Sequence, residues 1–234
     1  MSKYDKYAKR ADEFYTPDRV TKYDTQNGLK TGEINKHPRI KYSKKKFSSI
    51  CNEFKHPIKV LDLGCGEGRY FHQIQNYKQI TGIDASKEMI KKAKKIFKKN
   101  KKIILKVGNL FDINYKEEFE LAYSIGVLAE HSPINLHLLT KIYTALKKEG
   151  YFVFTSSIPS RLSLKIRRAL GDIVFTFTNV LFRNSSINRK LLNSYMSPKN
   201  VKKLIKKTKF KIVDFKRVNK KGSHVDQIYW TLKK

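Results

Sequence analysis

The sequence predicts an α/β fold, a mostly parallel, doubly wound sheet with helices on both faces. Three observations carry this. Short runs rich in β-branched and aromatic residues alternate with helix-period segments from Lys59 onward. The first of these runs passes directly into the glycine-rich stretch "LGCGEG". Two further strand-like runs close the chain with only a short turn between them. Strand alternating with helix implies parallel strands buried on both faces.

Each element has its own signal. The strands read as "KVLDL" (59–63), "QITGID" (79–84), "IILKV" (103–107), "FELAYS" (119–124) and "YFVFTS" (151–156), bounded by Gly, Asp or Asn. In the helix read over 86–99, Met89, Ala93 and Phe97 recur at steps of four with Ile90 beside them, and lysines take the other face. Ser86 is its expected N-cap. Over 132–148, Ser132 followed by Pro133 reads as cap and first turn, with Leu138, Leu139, Ile142 and Leu146 as the buried stripe. Ser197 and Pro198 repeat that start in "SPKNVKKLIKK". The runs "FKIVDFKRV" and "DQIYWTL", joined around Gly222, form a hairpin at the sheet edge. Residues 1–50 have weaker periodicity and read as an N-terminal helical cap on a main domain over 51–234. An irregular, lid-like insertion interrupts that domain at about 158–195. No internal repeat is visible.

Composition narrows the function classes. With 234 residues, 40% of them hydrophobic, the chain can build one sizeable core. No stretch approaches the roughly 20 apolar residues of a membrane span. The start, "MSKYDKYAKR", is polar and reads as neither signal nor anchor. The two cysteines, Cys51 and Cys65, form no CxxC pair, and no histidine spacing suits zinc. The expectation is a cytoplasmic protein without disulfide or metal. A formal net charge of +31 would attract nucleic acid or anionic lipid. Its source is mostly lysine spread along helix faces, which favours a solvated surface over a dedicated nucleic-acid site.

The loop after the first strand carries the chemistry. Asp62 ends the strand, and Gly64, Gly66 and Gly68 leave backbone N–H groups bare at the carboxyl edge of a parallel sheet, at an expected helix N-terminus. The spacing is G-x-G-x-G, one residue shorter than the dinucleotide fingerprint. A tight strand-to-helix turn would need similar glycines. The next strand ends in Asp84, about 20 residues on, where a carboxylate reaches ribose hydroxyls in doubly wound folds.

With "ITGIDASKEMI", "GNLFDI", "FELAYSIGVLAEH" and "IYTALKKEGYFVF" following, the sequence resembles the class I S-adenosylmethionine-dependent methyltransferases, most closely the branch acting on quinone precursors, sugars and other small molecules. The resemblance runs motif by motif from Lys59 to Ser156 and more loosely through the hairpin. It implies a Rossmann-like, seven-stranded sheet with an antiparallel last strand, and S-adenosylmethionine as cofactor. It further implies that Asp62, Gly64, Gly66 and Gly68, with Cys65 packed between them, form the methionyl loop, and that Asp84 holds the ribose. Ala85 and Met89 would line the adenine. Asn109, followed by Leu110, stands where the family usually has an acid; its carbonyl can still accept from the adenine amino group. Ser124 and Ile125 would border the methyl group. Tyr15 resembles an N-terminal aromatic that closes over the cofactor, although helix packing explains it equally well. "KKEG" replaces the commoner Lys-Pro-Gly-Gly turn before the fifth strand.

Methyl transfer needs alignment of donor and acceptor, with a base where the acceptor loses a proton. His131, just beyond the fourth strand in "LAEHSP", is the candidate base; ordering the loop together with Glu130 is the other role open to it. His56, His72, His137 and His224 sit in contexts that read as structural or exposed. In the insertion, Arg161, Lys165, Arg167 and Arg168 could meet anionic head groups while 173–182 dips toward a membrane interface, or that apolar run covers the core. The first expectation is therefore O-methylation of a small or amphiphilic acceptor. The alternatives are a wobble-uridine type tRNA methyltransferase, since "GCGEGRY" also resembles that loop, and a cofactor-binding domain without turnover.

Overall fold

In the computed structural model, residues 4–26, 38–159, 196–218 and 225–234 are described. The insertion from 160 onward, with its basic and apolar runs, and the turn around Gly222 lie outside them. Three helices come first: α1 (Asp5–Phe14), α2 (Pro17–Gln26) and α3 (Pro38–Cys51). Then follow β1 (Ile58–Leu63), β2 (Tyr77–Asp84), α4 (Lys87–Ile96), β3 (Ile103–Val107), β4 (Phe119–Ser124), α5 (Leu136–Ala145) and β5 (Leu146–Pro159). The chain closes with α6 (Pro198–Ile205), β6 (Lys211–Val218) and β7 (Val225–Lys233).

The seven strands form one sheet in the order β3-β2-β1-β4-β5-β7-β6. Strands β1 to β5 are mutually parallel, and β7 runs antiparallel between β5 and β6. The period-2 alternation of each strand sorts its side chains between two cores. Leu61 and Leu63 join Ala122, Phe152, Phe154 and Trp230 on the face covered by Leu138, Leu139 and Ile142 of α5 and Val201 and Ile205 of α6. Val60 joins Ile80, Leu121, Tyr123 and Val153 on the other face, under Phe47 and Ile50 of α3 and Ile90 of α4. Phe47 is fully buried, which at about 25 cal/mol per Å² contributes roughly 2–3 kcal/mol. Helix α1 buries nothing completely; it is held by Tyr4, whose ring stacks on Phe111 at 4.3 Å and on His137 at 5.6 Å.

Local signals act as expected at two helices. Ser86 Oγ accepts from Met89 N at 3.2 Å to cap α4, and Ser197 accepts from Asn200 N with Pro198 opening α6. At α5 the cap differs. Asn135 Oδ1 accepts from Leu138 N at 2.9 Å, so Asn135, not Ser132, begins the helix. Ser132 instead closes a tight turn, its N–H donating to Val127 O and its carbonyl accepting from Ala129 N. An asparagine carbonyl reaches the N3 amide as well as a serine hydroxyl does, so Asn135 can cap the helix once Ser132 is taken up by the turn. Leu146 is buried as expected but opens β5 rather than ending the helix. The "KKEG" segment lies within β5, where the register against β4 shifts and Glu149 takes φ +63.

Candidate active site

The carboxyl ends of β1, β2 and β4 converge on one place. Beyond Leu63 the chain turns back under β2, Gly64 N and Cys65 N both donating to Ile83 O at 2.8 and 3.1 Å. Gly64 has φ +83, and a Cβ there would stand 2.5 Å from Val127 Cγ2, so both conformation and space require glycine. Gly66, at φ +54, is the opposite case. Nothing lies within 4 Å of where its Cβ would be, so its backbone borders open space. The expected α-helix after the loop is absent. Turns lead to a single 3-10 turn at Phe71–Gln73, so the loop offers amides of a bare turn and no helix dipole.

Asp84 organises the loop. Its Oδ2 accepts from Gly66 N at 2.8 Å and its Oδ1 from Ser86 N at 2.9 Å. Each oxygen keeps a further lone pair for a ligand hydroxyl. The carboxylate is recessed, reachable by solvent but crowded by protein, and this desolvation raises its pKa against the pull of the amides. Asp62 is buried outright at 2% exposed. It is the register partner of Tyr123, and both project from the α3/α4 face of the sheet. Burial pushes both pKa values well up, and each shifts the other. Yet Asp62 Oδ2 and the Tyr123 hydroxyl are buried without a hydrogen bond of normal geometry. A buried acid with an idle oxygen beside bare glycines is suited to a cationic donor such as an amino group.

The remaining expected residues surround this point. Met89 and Ile125 are buried, Ala85 and Leu110 half-buried, and Cys65 packs against the backbone of Gly82, its thiol pKa raised by burial and by Asp62. Ser124 Oγ donates to Leu63 O at 2.7 Å, fastening β4 to β1 at the mouth of the site. Asn109 Oδ1 accepts from Phe111 N, and its Nδ2 donates weakly to Asp5 Oδ1 at 3.4 Å. Helix α1 thus meets the site at both ends, because Asp12 Oδ1 accepts from Lys87 N at 3.0 Å. Tyr15 ends α1, half-buried, with its ring edge-on to Phe14 at 5.0 Å.

On the β4 side, His131 N donates to Val127 O at 2.9 Å, within the turn that also holds Ser132. His131 Nδ1 is buried with no hydrogen-bond partner, and burial lowers the imidazole pKa below its ordinary 6.5, keeping the ring neutral. Glu130 Oε1 accepts from Gln227 Nε2 at 3.0 Å. Its recessed position raises its pKa, opposed by Ser157, Gln227, Thr155 and the charge of Arg39. Sequence reasoning missed Tyr123, Gln227 and the ion cluster in which Lys92 Nζ meets Glu67 Oε2 at 2.5 Å and Arg69 lies at 3.9 Å from Oε1. Tyr123 was recoverable from strand alternation, since it occupies the same position on β4 as Asp62 on β1. Among the described residues no cluster of His, Cys, Asp or Glu is placed to hold a metal, and no helix is long and apolar enough to cross a membrane.

A methyltransferase domain family matches residues 54–169. The carboxy-S-adenosyl-L-methionine synthase of Helicobacter pylori is 28% identical over 174 residues, spanning 68% of this chain and 72% of that protein. Among solved structures, the cyclopropane synthase MmaA2 of Mycobacterium tuberculosis superposes with a TM-score of 0.63 at 14% identity, covering 81% of this chain and 83% of that one. The Burkholderia thailandensis 1,6-didemethyltoxoflavin-N1-methyltransferase, solved with 1,6-didemethyltoxoflavin and S-adenosylhomocysteine, gives 0.63 at 16% identity over 100% of this chain and 91% of that one. An Asp62 oxygen without a normal hydrogen bond, an open Gly66 and a recessed Asp84 fit the cofactor such enzymes use: residues 54–169 are a class I S-adenosylmethionine-dependent methyltransferase domain, and S-adenosylmethionine is its cofactor.

Proposed function

We propose that the protein methylates an oxygen of a small or amphiphilic acceptor, with His131 as general base. The observation that carries this is the buried, unpartnered Nδ1 of a neutral His131 at the carboxyl edge of β4. A neutral imidazole with an idle nitrogen can take a hydroxyl proton, and a buried one lacking any partner is costly unless something else uses it. When bound, S-adenosylmethionine supplies an electrophilic methyl group on a sulfonium. Asp62 would hold the amino group of its methionyl part against the Gly64–Gly68 loop, with Cys65 packing behind, and Asp84 would hold the ribose. Ala85, Met89, Asn109 and Leu110 would enclose the adenine, Tyr15 would close over it from α1, and Ser124 and Ile125 would flank the reacting methyl. In this reading residues 1–50 cap the cofactor side, and the segment at about 158–195 supplies the acceptor lid.

The test begins with methyl-labelled cofactor and a cell extract split into lipid, RNA and small-molecule fractions. Label in the lipid or small-molecule fraction is expected, and label confined to RNA would refute the acceptor class. With the acceptor in hand, His131→Asn should lower kcat about 100-fold, in the range of general-base losses, and leave cofactor affinity unchanged. The acid limb of the wild-type rate profile should fall below pH 6.5, because the lowered pKa keeps His131 unprotonated there, and this limb should vanish in the variant.

The Helicobacter relative favours a second reading, in which the product is a carboxylated form of the cofactor itself. Mass spectrometry of the cofactor after incubation with the small-molecule fraction separates the two. A carboxylated cofactor supports the second reading, and S-adenosylhomocysteine with a methylated acceptor supports the first.

A further inference from the structure

The sheet has a second charged edge. Where β1, β2, β4 and β5 begin, at the opposite end of the strands from Asp62 and Asp84, the chain encloses a surface cleft of about 410 Å³. Its lining includes Lys59, Lys78, Lys102 and Lys147, together with His56 and Glu120. Glu120 is the one acid in that lining, and its charge is already engaged. It is 3% exposed; Oε1 receives Lys147 Nζ at 2.7 Å and Oε2 receives Lys59 N–H at 2.7 Å, with the His56 ring 3.9 Å away. Four lysines against one carboxylate leave a charge of +3 facing a concave wall.

Concavity distinguishes this place from the other lysine-rich surfaces. On α4 the exposed lysines radiate from a convex helix, with Glu88 pairing Lys91 between them. A cleft with low-dielectric walls focuses field lines, so lysines that line it attract an anion more strongly than lysines spread over a convex helix. The volume lies within the range of small-ligand sites, roughly 300–1,000 Å³. Lysine ammonium groups act as point charges suited to phosphate oxygens.

We propose that this cleft binds a small anion carrying two or more phosphate groups, at a site separate from the active site. Free oligophosphate and the phosphate chain of a nucleotide share that chemistry. The full-length protein is titrated calorimetrically with tripolyphosphate, and separately with ATP without magnesium, at about 0.15 M salt, where exposed and diffuse charge is screened beyond about 8 Å. The triple variant Lys59→Met, Lys78→Met, Lys102→Met should weaken tripolyphosphate binding about tenfold or more. The equally charge-reducing triple Lys94→Met, Lys95→Met, Lys98→Met, on the exposed face of α4 and in the turn that follows it, should change it less than twofold. Equal losses in the two triples would mean that net charge alone binds the anion and would overturn the proposal. Chemical-shift mapping on the wild type removes any dependence on how the variants fold. Shifts concentrated at His56, Lys59, Lys78 and Lys102 support the site, and shifts spread along α4 overturn it. ATP binding like tripolyphosphate assigns the cleft to the phosphate chain alone, whereas tighter ATP binding assigns it to a nucleotide. If a short single-stranded RNA, but not tripolyphosphate, loses affinity in the cleft variant, the cleft follows a nucleic-acid backbone and the small-anion proposal falls.

Discussion

At the carboxyl edge of the sheet the acids Asp62, Asp84 and Glu130 are buried or recessed. Burial raises the pKa of Asp62, Asp84 and Glu130 alike, and Asp62 keeps an oxygen that makes no hydrogen bond of normal geometry. At the amino edge the charged groups are lysines, exposed or half-exposed, around one buried acid whose two oxygens are both engaged. The same strands connect the two edges, so fold and composition are shared and only the manner of burial differs. Unfavourable electrostatics is tolerated at the carboxyl edge, in a chain of net charge +31 that could have supplied a lysine partner for each acid. This marks where a ligand completes the structure. At the amino edge the buried acid is already satisfied, and an anion there would meet the lysine charge left over around it.

The largest effect should come from Asp84. Its carboxylate holds the amides of Gly66 and Ser86 and, in the proposed role, the ribose. Charge-assisted hydrogen bonds contribute about 1.5–3 kcal/mol each, so Asp84→Ala should weaken S-adenosylhomocysteine binding about 100-fold or more by calorimetry. A loss under threefold would remove Asp84 from the site. Asp62→Asn should weaken the same binding about tenfold and yet stabilise the free protein. The sign follows from linkage. An acid whose folded pKa is raised contributes no penalty below its ordinary 3.8 and a growing one as pH rises toward the folded value. The variant's gain in Tm should therefore be absent near pH 3.8 and grow toward neutrality, reaching about 2–4 °C for each kcal/mol in a chain of this size. A Tm difference that does not change with pH would show that Asp62 carries no burial penalty.

The edge that builds the active site was the more legible in the sequence. Glycines at positive φ and carboxylates at strand ends are local requirements, so Gly64, Gly66, Asp62 and Asp84 stand out in one dimension, as do Ser86 and Ser197 as caps. The strand order needed more than local reading, because β7 inserts between β5 and β6 through pairings over 65 residues apart along the chain, such as Val153 with Thr231. Tyr123 stayed hidden because its neighbourhood with Asp62 is a matter of register between β1 and β4. The missing helix after the loop has a local cause. Gly68 at φ +83 lies among rings of Phe71 and Phe97, which fill the space in a tight 3-10 turn. The amino-edge lysines read as ordinary surface charge, since convergence on a cleft is a property of the folded sheet. Ser132 reads as the cap of α5, but the turn anchored on Val127 takes it up and Asn135 caps the helix instead.

The smallest expected effect tests the amino edge. Lys147 and Glu120 form a pair at 2.7 Å in which the acid is buried and the lysine side chain is 44% exposed. Removing one partner of a fully buried pair costs several kcal/mol, but solvent screens this lysine, and Glu120 keeps the Lys59 amide. Lys147→Met should therefore cost about 1 kcal/mol, a fall in Tm of roughly 2–4 °C, with S-adenosylhomocysteine affinity unchanged. Glu120→Gln in the same background should recover part of that loss, because the acid left without its ammonium group is the source of the strain. Tripolyphosphate affinity should drop less for Lys147→Met than for Lys78→Met, since Glu120 already neutralises Lys147 while Lys78 faces the cleft with its charge intact. The reverse order would place the anion against Glu120's partner and make the amino edge, unlike the carboxyl edge, a site whose internal pairing must yield to its ligand.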